Sequence, residues 1–293
     1  MRLHFAAMEW TAPPTAADRA PWLKSWLLAS RRGPRRFIGL DFDGTLAPIV
    51  DRPEDAAAIP EARAVLPKLV EHHAVALISG RSVVELKAQC DVPGLHYAGC
   101  HGMELISPGS DPEAPFVKVA GEPGLFRLDR ALVHRPALEA LGAEARRQLA
   151  SVEGSFVEDK GLAVAIHRRL VPDEQRSAFD AAIVRLGEQF ATLHRKDGKS
   201  VHEFLPPVAW HKGEAFAWLA ERLADQGGGF YAGDDTTDED AFAVLEGADN
   251  TIELPIDAGL GVLVGPPRPS RASVRVEDPA ALVAVLTQLI PRE

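Results

Sequence analysis

The sequence predicts an α/β fold: a Rossmann-like parallel sheet wound by helices, carrying one inserted α+β cap. Three observations point there. Short apolar runs alternate with segments of helical period, polar residues stand at the ends of those runs, and the alternation breaks near Ser107 and resumes after Pro206-Pro207. A parallel strand is buried on both faces, so it reads as an unbroken apolar run.

The first run is Phe37-Ile38-Gly39-Leu40, ending at Asp41. From Glu61 to His72, Ala62, Val65, Leu66, Leu69 and Val70 fall on one helical face, with Pro60 at the start. Ala74 to Ile78 is a second buried strand, followed by Ser79-Gly80-Arg81 and a helix through Gln89. Leu95 to Gly99 is a third strand. Such alternation gives right-handed crossovers onto one sheet. Residues 108–124 are rich in Pro and Gly. Helices over Pro136–Leu149 and Asp173–Phe190, a strand over Leu162–His167, and a hairpin of Ala191–Arg195 with Ser200–Phe204 turning at Asp197-Gly198 then suggest a small covered sheet. A helix from His211 to Ala224, a strand over Gly229–Ala232, a last strand at Val262–Val264 and a helix from Asp278 to Ile290 return to the main body. The expected division is an N-terminal helical extension over 1–35, a core of 36–107 and 206–293, and a cap of 108–205. In the extension, Trp22, Leu23, Trp26 and Leu27 recur at helical spacing, as a helix packed on the body would require.

Composition narrows the function. The chain has 293 residues, 46% of them hydrophobic, enough for a sizeable core. A formal net charge of -10 speaks against a nucleic-acid partner, whose phosphates call for basic patches. The cluster Arg31, Arg32, Arg35 and Arg36 reads as a solvated helix end and linker. Cys90 and Cys100 form no CxxC pair, so neither a zinc site nor a disulfide framework is expected. No segment reaches the ~20 apolar residues of a membrane span, and the first ten residues lack a signal-peptide pattern. A cytoplasmic protein with no membrane partner is the expectation.

Ligands of open parallel sheets sit outside the carboxyl ends of the strands. Asp41 with Asp43, Ser79, and Asp234 with Asp235 all stand there, and Lys212 opens a helix. Three carboxylates at one point repel, and one pKa would be forced up unless a hard cation intervened. Mg²⁺ prefers such oxygen donors. With Ser79 and Lys212 beside it, this is a site for a phosphoryl group. One aspartate of the Asp41/Asp43 pair can act as nucleophile, and the other can protonate the leaving oxygen and then activate water. Gly44 permits the sharp turn that follows.

These segments resemble the haloacid dehalogenase superfamily: Asp41-Phe42-Asp43-Gly44-Thr45 its first motif, Ser79-Gly80-Arg81 its second, Lys212 its third, and Gly233-Asp234-Asp235 with Asp238 its fourth. The resemblance implies a haloacid dehalogenase core with Asp41 as nucleophile and Asp43 as general acid/base. It implies Ser79 and Lys212 on the phosphoryl group, and Mg²⁺ held by Asp41, the Asp43 carbonyl and Asp234. Asp235 and Asp238 would stand behind the metal or orient Lys212. Ion-pumping members carry Thr where Asp43 stands, so this carboxylate implies a phosphatase, a magnesium-dependent phosphoric monoester hydrolase.

Asp43 and Ser79 are 36 positions apart, which the intervening helix and strand fill, whereas Ser79 and Lys212 are 133 apart. The insert, about 95 residues long, therefore falls in the second interval and should act as a lid that excludes water. It resembles that of trehalose-6-phosphate phosphatases through Val157-Glu158-Asp159-Lys160, His167-Arg168-Arg169, Gly198-Lys199, Val201-His202-Glu203-Phe204 and His211-Lys212-Gly213-Glu214. Outside it, Gly99-Cys100-His101-Gly102-Met103-Glu104 and the run Gly233 to Asp240 match as well. The similarity runs from about Phe37 to Pro267 and implies hydrolysis of trehalose 6-phosphate in trehalose biosynthesis. Glu158 and Lys160 alternate by two and so share a strand face, with Glu203 on a neighbouring strand. Such a carboxylate–ammonium–carboxylate set offers sugar hydroxyls both acceptors and donors. The resemblance assigns Glu158, Lys160 and Glu203 to the distal glucose and places Gly80, Arg81 and His101 along the substrate path, the last two at the entrance. Cys100 and Arg168 depart from the family pattern, which leaves a sucrose, glucosylglycerol or mannosylglycerate phosphate as alternative substrates. A non-catalytic sugar-phosphate sensor is the alternative of another class, and it would have no need of Asp43. The bland readings are that Asp238, Glu239 and Asp240 cap a helix start, and that Glu158 and Lys160 form a surface pair.

Overall fold

In the computed structural model, the apolar runs assemble into a nine-stranded sheet, and a second, four-stranded sheet stands beside it. The structure describes residues 11–19, 23–24, 35–109, 112–198, 200–224, 229–246 and 259–291. Trp22, Trp26, Leu27, Arg31, Arg32 and Lys199 lie outside the described residues.

The large sheet holds β1 (Phe37–Leu40), β2 (Ala74–Ile78), β3 (His96–Gly99), β4 (Glu104–Ile106), β5 (Phe116–Lys118), β6 (Leu125–Leu128), β11 (Phe230–Gly233), β12 (Leu260–Val264) and β13 (Val274–Val276). Its order is β13-β12-β11-β1-β2-β3-β4-β6-β5. The strands from β13 to β3 are parallel, and β4, β6 and β5 add antiparallel pairings. Every residue of β1, β2, β11 and β12 is buried, as runs covered on both faces must be. One face carries Ile38, Leu40, Val75 and Leu77 against α1 (Pro60–His72) and α8 (Pro279–Thr287). The other carries Phe37, Ala76 and Ile78 against α6 (Lys212–Leu223) and α7 (Glu239–Leu245). A shorter helix, α2 (Val83–Gln89), follows β2 and is capped by Ser82, whose hydroxyl accepts from the Glu85 amide.

The small sheet, in order β7-β8-β10-β9, is antiparallel throughout: β7 (Phe156–Asp159), β8 (Val164–His167), β10 (Val201–Leu205) and β9 (His194–Asp197). A helical turn, α3 (Asp129–Leu132), leads into it. Its apolar face, with Val164, Ile166 and Phe204, packs on α4 (Arg135–Gln148) and α5 (Arg176–Gln189). Strand alternation turns Glu158, Ala165, His167 and Glu203 to the opposite face.

Four sequence expectations change. Residues 116–128, placed in the cap by their Pro and Gly content, pair with the large sheet through β5 and β6, so the second sheet's segment begins after Leu128 and not at 108. Val262–Val264 is not the last strand, because β13 follows it and pairs in parallel. The first strand of the cap hairpin is His194–Asp197, not Ala191–Arg195. The N-terminal extension is not helical throughout: Thr15 bridges to Arg275 at the sheet edge, whereas Leu23 and Lys24 are helical and Leu23 is buried in the core, as the helical spacing expects.

Candidate active site

Three adjacent strands bring the charged residues together. β1 lies between β11 and β2, so Asp41 leaves the sheet between Asp234 and Ser79. The Asp41 amide still donates to the Ala232 carbonyl at 2.9 Å, which carries the ladder one residue past β1. Gly44 has φ +75, and a Cβ there would lie 2.2 Å from Asp234 Oδ2. Only glycine lets the turn after Asp43 pass under the Asp234 carboxylate.

Lys212 is the first residue of α6 and is buried. Its ammonium donates to Asp41 Oδ1 and to Asp238 Oδ1, each at 2.8 Å. Both Asp238 oxygens are engaged: Oδ1 also accepts from the Tyr231 hydroxyl at 2.7 Å and Oδ2 from the Asp235 amide at 2.9 Å. Asp238 therefore orients Lys212 and is not merely a helix cap. Asp235 is exposed, caps its own turn through the Thr236 amide, and makes no contact with Lys212. Burial, opposed by Lys212 and reinforced by Asp238 and Asp234, holds the Asp41 carboxyl well above its ordinary value. Burial, then the Asp238 charge, pushes Asp234 up to about 7. Burial works against the Lys212 charge, but Asp238 and Asp41 outweigh it and hold the ammonium above its ordinary value.

Carboxylate oxygens of Asp41, Asp234 and Asp238 lie within 4.8 Å of one another. With Asp238 committed to three hydrogen bonds, the donors left for a cation are Asp41, Asp234 and the Asp43 carbonyl, which accepts no hydrogen bond among the described residues. These are hard oxygen donors, and two of them are carboxylates whose charge burial penalises, so they fit a small divalent ion.

Arg81 is not at an entrance. It is buried, and its Nε and Nη2 grip the two Asp43 carboxylate oxygens at 2.6 Å each, while Nη1 donates to the Pro53 carbonyl at 2.8 Å. The Ser79 hydroxyl accepts from the Arg81 amide at 3.3 Å, and Gly80 lies under the His101 ring.

The turn after β3 is strained. Cys100 has φ 48, His101 φ 57 and Gly102 φ 90, three consecutive left-handed residues of which two are not glycine. It ties the two sheets together. The Cys100 thiol donates to the Lys160 carbonyl at 2.9 Å, and His101 Nε2 meets Glu203 Oε2 at 2.8 Å.

On the inward face of the small sheet, Glu158 and Glu203 both stand opposite Ala165, so β8 separates their strands, which are not neighbours. Lys160 reaches across, 3.2 Å from Glu203 and 3.9 Å from Glu158, and His167 holds Glu158 at 2.8 Å. Both carboxylates are buried, so this is no surface pair. Burial opposes the Glu203 charge, yet Lys160 and His101 hold it well below the ordinary range. Glu158 is lowered in the same way, by His167 and Lys160. A cleft of about 580 Å³ reaches from Lys212 and His101 to Trp210, His194 and Lys196.

Sequence reasoning missed Tyr231, Lys196 and the His167 contact. Tyr231 sits inside an apolar run and reads as core. Lys196 lies one residue past the strand expected over Ala191–Arg195, in the stretch that the sequence gives to the turn.

A family model described as trehalose-phosphatase matches residues 39–279. A trehalose 6-phosphate phosphatase of Zea mays is 30% identical over 97% of this chain and 81% of its own. An uncharacterized glycosyl hydrolase of Mycobacterium tuberculosis is 36% identical over 88% of this chain, which spans only 18% of that relative's length. The C-terminal domain of a trehalose-6-phosphate phosphatase from C. albicans superimposes with a TM-score of 0.74 over 96% of this chain and 98% of that one, at 23% identity. Among the described residues, no helix is long and apolar enough to cross a membrane.

Proposed function

The chain belongs to the trehalose-phosphatase family, and from that premise we propose that it hydrolyses trehalose 6-phosphate to trehalose and inorganic phosphate. The observation that carries the reading is the placing of two buried lysine–carboxylate sets. Lys212 lies between Asp41 and Asp238, and Lys160 lies between Glu158 and Glu203 in the sheet above. We take the segment after Leu128, through Leu205, as the cap over a core formed by the large sheet.

In this reading Asp41 attacks phosphorus, the phosphorus–oxygen bond to the sugar breaks, and the electron pair leaves on the sugar oxygen. Asp43 gives that oxygen a proton. Asp43 then takes a proton from water as the water oxygen attacks phosphorus, and the bond to Asp41 breaks to release phosphate. Lys212 and Ser79 hold the phosphoryl oxygens. Asp238 and Tyr231 fix Lys212, and Arg81 aims Asp43. Mg²⁺ held by Asp41, Asp234 and the Asp43 carbonyl would neutralise charge that develops on the phosphoryl group. Glu158, Lys160, Glu203 and His101 would bind the distal sugar.

The test is phosphate release from trehalose 6-phosphate, sucrose, glucosylglycerol and mannosylglycerate phosphates, with and without Mg²⁺. Preference for trehalose 6-phosphate and dependence on the metal are expected. Equal rates across the panel would sink the substrate assignment.

A further inference from the structure

The cap sheet carries one more charged group on its inward face. Glu158, Ala165, Glu203 and Lys196 stand directly opposite one another across β7, β8, β10 and β9. Directly opposed residues of antiparallel strands share a face, with Cβ atoms about 5 Å apart. Lys196 is therefore the outer end of the row that begins with the two cap carboxylates.

Its surroundings differ from those of every other charge in the row. Glu158 is engaged by His167 and Lys160, and Glu203 by Lys160 and His101. Lys196 is half-buried, and its ammonium has neither an ion pair nor a hydrogen bond among the described residues. It lines the same cleft as Lys212 and His101. That cleft, about 580 Å³, is much larger than a phosphoryl group needs. An ammonium has three donors and no acceptor, whereas a carboxylate only accepts. A sugar hydroxyl placed between Glu203 and Lys196 donates to the first and accepts from the second, so it satisfies both.

We propose that Lys196 is a specificity-determining residue whose ammonium donates to a hydroxyl on the sugar part of a disaccharide phosphate lying between Glu203 and Lys212. This rests on the phosphatase reading above. The phosphoryl end is served by Lys212 and Ser79 at the large sheet, so Lys196 acts on the part of the substrate that a small phosphate ester lacks.

The experiment compares wild type, Lys196→Met and Lys196→Arg on trehalose 6-phosphate and p-nitrophenyl phosphate, at low salt and at 0.5 M NaCl. Loss of one charge-assisted hydrogen bond should raise KM for the disaccharide phosphate by about 10-fold or more relative to the aryl ester in Lys196→Met, at either salt. Lys196→Arg should recover part of the loss. Equal losses on both esters that vanish at high salt would show a long-range pull on the phosphate and overturn the contact. Unchanged KM values would overturn it as well. Wild type that hydrolyses the aryl ester but not trehalose 6-phosphate overturns the substrate reading itself, an outcome visible before any variant is compared. If Lys196→Met loses its circular-dichroism signature, Lys196→Gln replaces it in the same assay.

Discussion

Two lysines, each between two carboxylates, Lys212 buried and Lys160 nearly so, make an instructive pair. Around Lys160 the carboxylates are stabilised: Lys160, with His167 on Glu158 and His101 on Glu203, holds both below the ordinary carboxylate range. Around Lys212 they are not. Asp41, Asp234 and Asp238 crowd one ammonium, Asp41 is held well above its ordinary value, and Asp234 is pushed up to about 7. Carboxylates already held by Lys160 offer hydrogen-bonding capacity without calling for a further cation, which suits the hydroxyls of a neutral sugar. An over-acidic set calls for a cation and, through it, for an anion such as a phosphoryl group. In the proposed reading, one residue type in one arrangement serves recognition or chemistry according to the local charge count.

The sharpest break of this contrast is in the core. Asp41→Asn keeps a hydrogen-bonding partner for Lys212 but removes the carboxylate proposed as nucleophile. Turnover of trehalose 6-phosphate should fall by at least about 10⁴-fold with the fold intact by circular dichroism. Residual phosphate release close to wild type would remove Asp41 from the role.

Next in size is the Asp43–Arg81 clamp. Asp43→Asn should lower kcat on the sugar ester by about 10²- to 10⁴-fold, the usual range for a general acid/base. Arg81→Ala should act in the same direction, because Arg81 grips both Asp43 oxygens at 2.6 Å. The leaving group separates aiming from substrate binding. p-Nitrophenolate leaves without a proton, so Arg81→Ala should still give a rapid burst of about one equivalent of phenolate before a slowed steady state. A missing burst would put Arg81 on the phosphoryl group instead.

Much of this was legible in the sequence, for a physical reason. Parallel strands announce themselves as apolar runs, and the polar residue that ends each run marks the ligand edge, so Asp41, Ser79 and Asp234 could be placed before any coordinates. The antiparallel strands were harder. β5 and β6 are short and set among Pro and Gly, and their pairing with β4 is a long-range choice that no local pattern records. Arg81 follows a strand end, as a residue at an entrance would, and only the fold shows that the loop at Pro53 and the Asp43 turn enclose it. Lys196 lies past the strand expected over Ala191–Arg195, and only its pairing opposite Glu203 shows which face it takes.

The two lysines can also be set against each other through stability. Lys160→Met and Lys212→Met each leave buried carboxylates without their cation, at a cost of about 3–5 kcal/mol. Mg²⁺ should restore part of the melting temperature in Lys212→Met and little in Lys160→Met, because only the core donors fit the ion. Equal recovery in both, measured by calorimetry, would erase the distinction between the sets.

The smallest effect tests the charge count by pH. A carboxyl whose folded pKa is raised stabilises the fold fully below its unfolded value, and that contribution is lost as pH rises through the folded value. For Asp234 the window runs from about 4 to about 7 in the metal-free protein. Glu203 and Glu158 are lowered, so their contribution is present above their ordinary value of 4.5 and is lost only as pH falls below it. Between pH 5.5 and 8 the Asp234 carboxyl titrates, whereas the Glu158 and Glu203 carboxyls do not. Protons and Mg²⁺ compete for Asp234, so binding at pH 5.5 should be roughly 30-fold weaker than above its pKa. A metal concentration 100 times Kd at pH 8 should then raise the melting temperature by about 5 °C or more, and by less than half of that at pH 5.5. Asp234→Asn should abolish the shift at both pH values. A shift independent of pH, or one that survives in Asp234→Asn, would mean that the ion is held elsewhere and that the excess acidity around Lys212 is not what draws it.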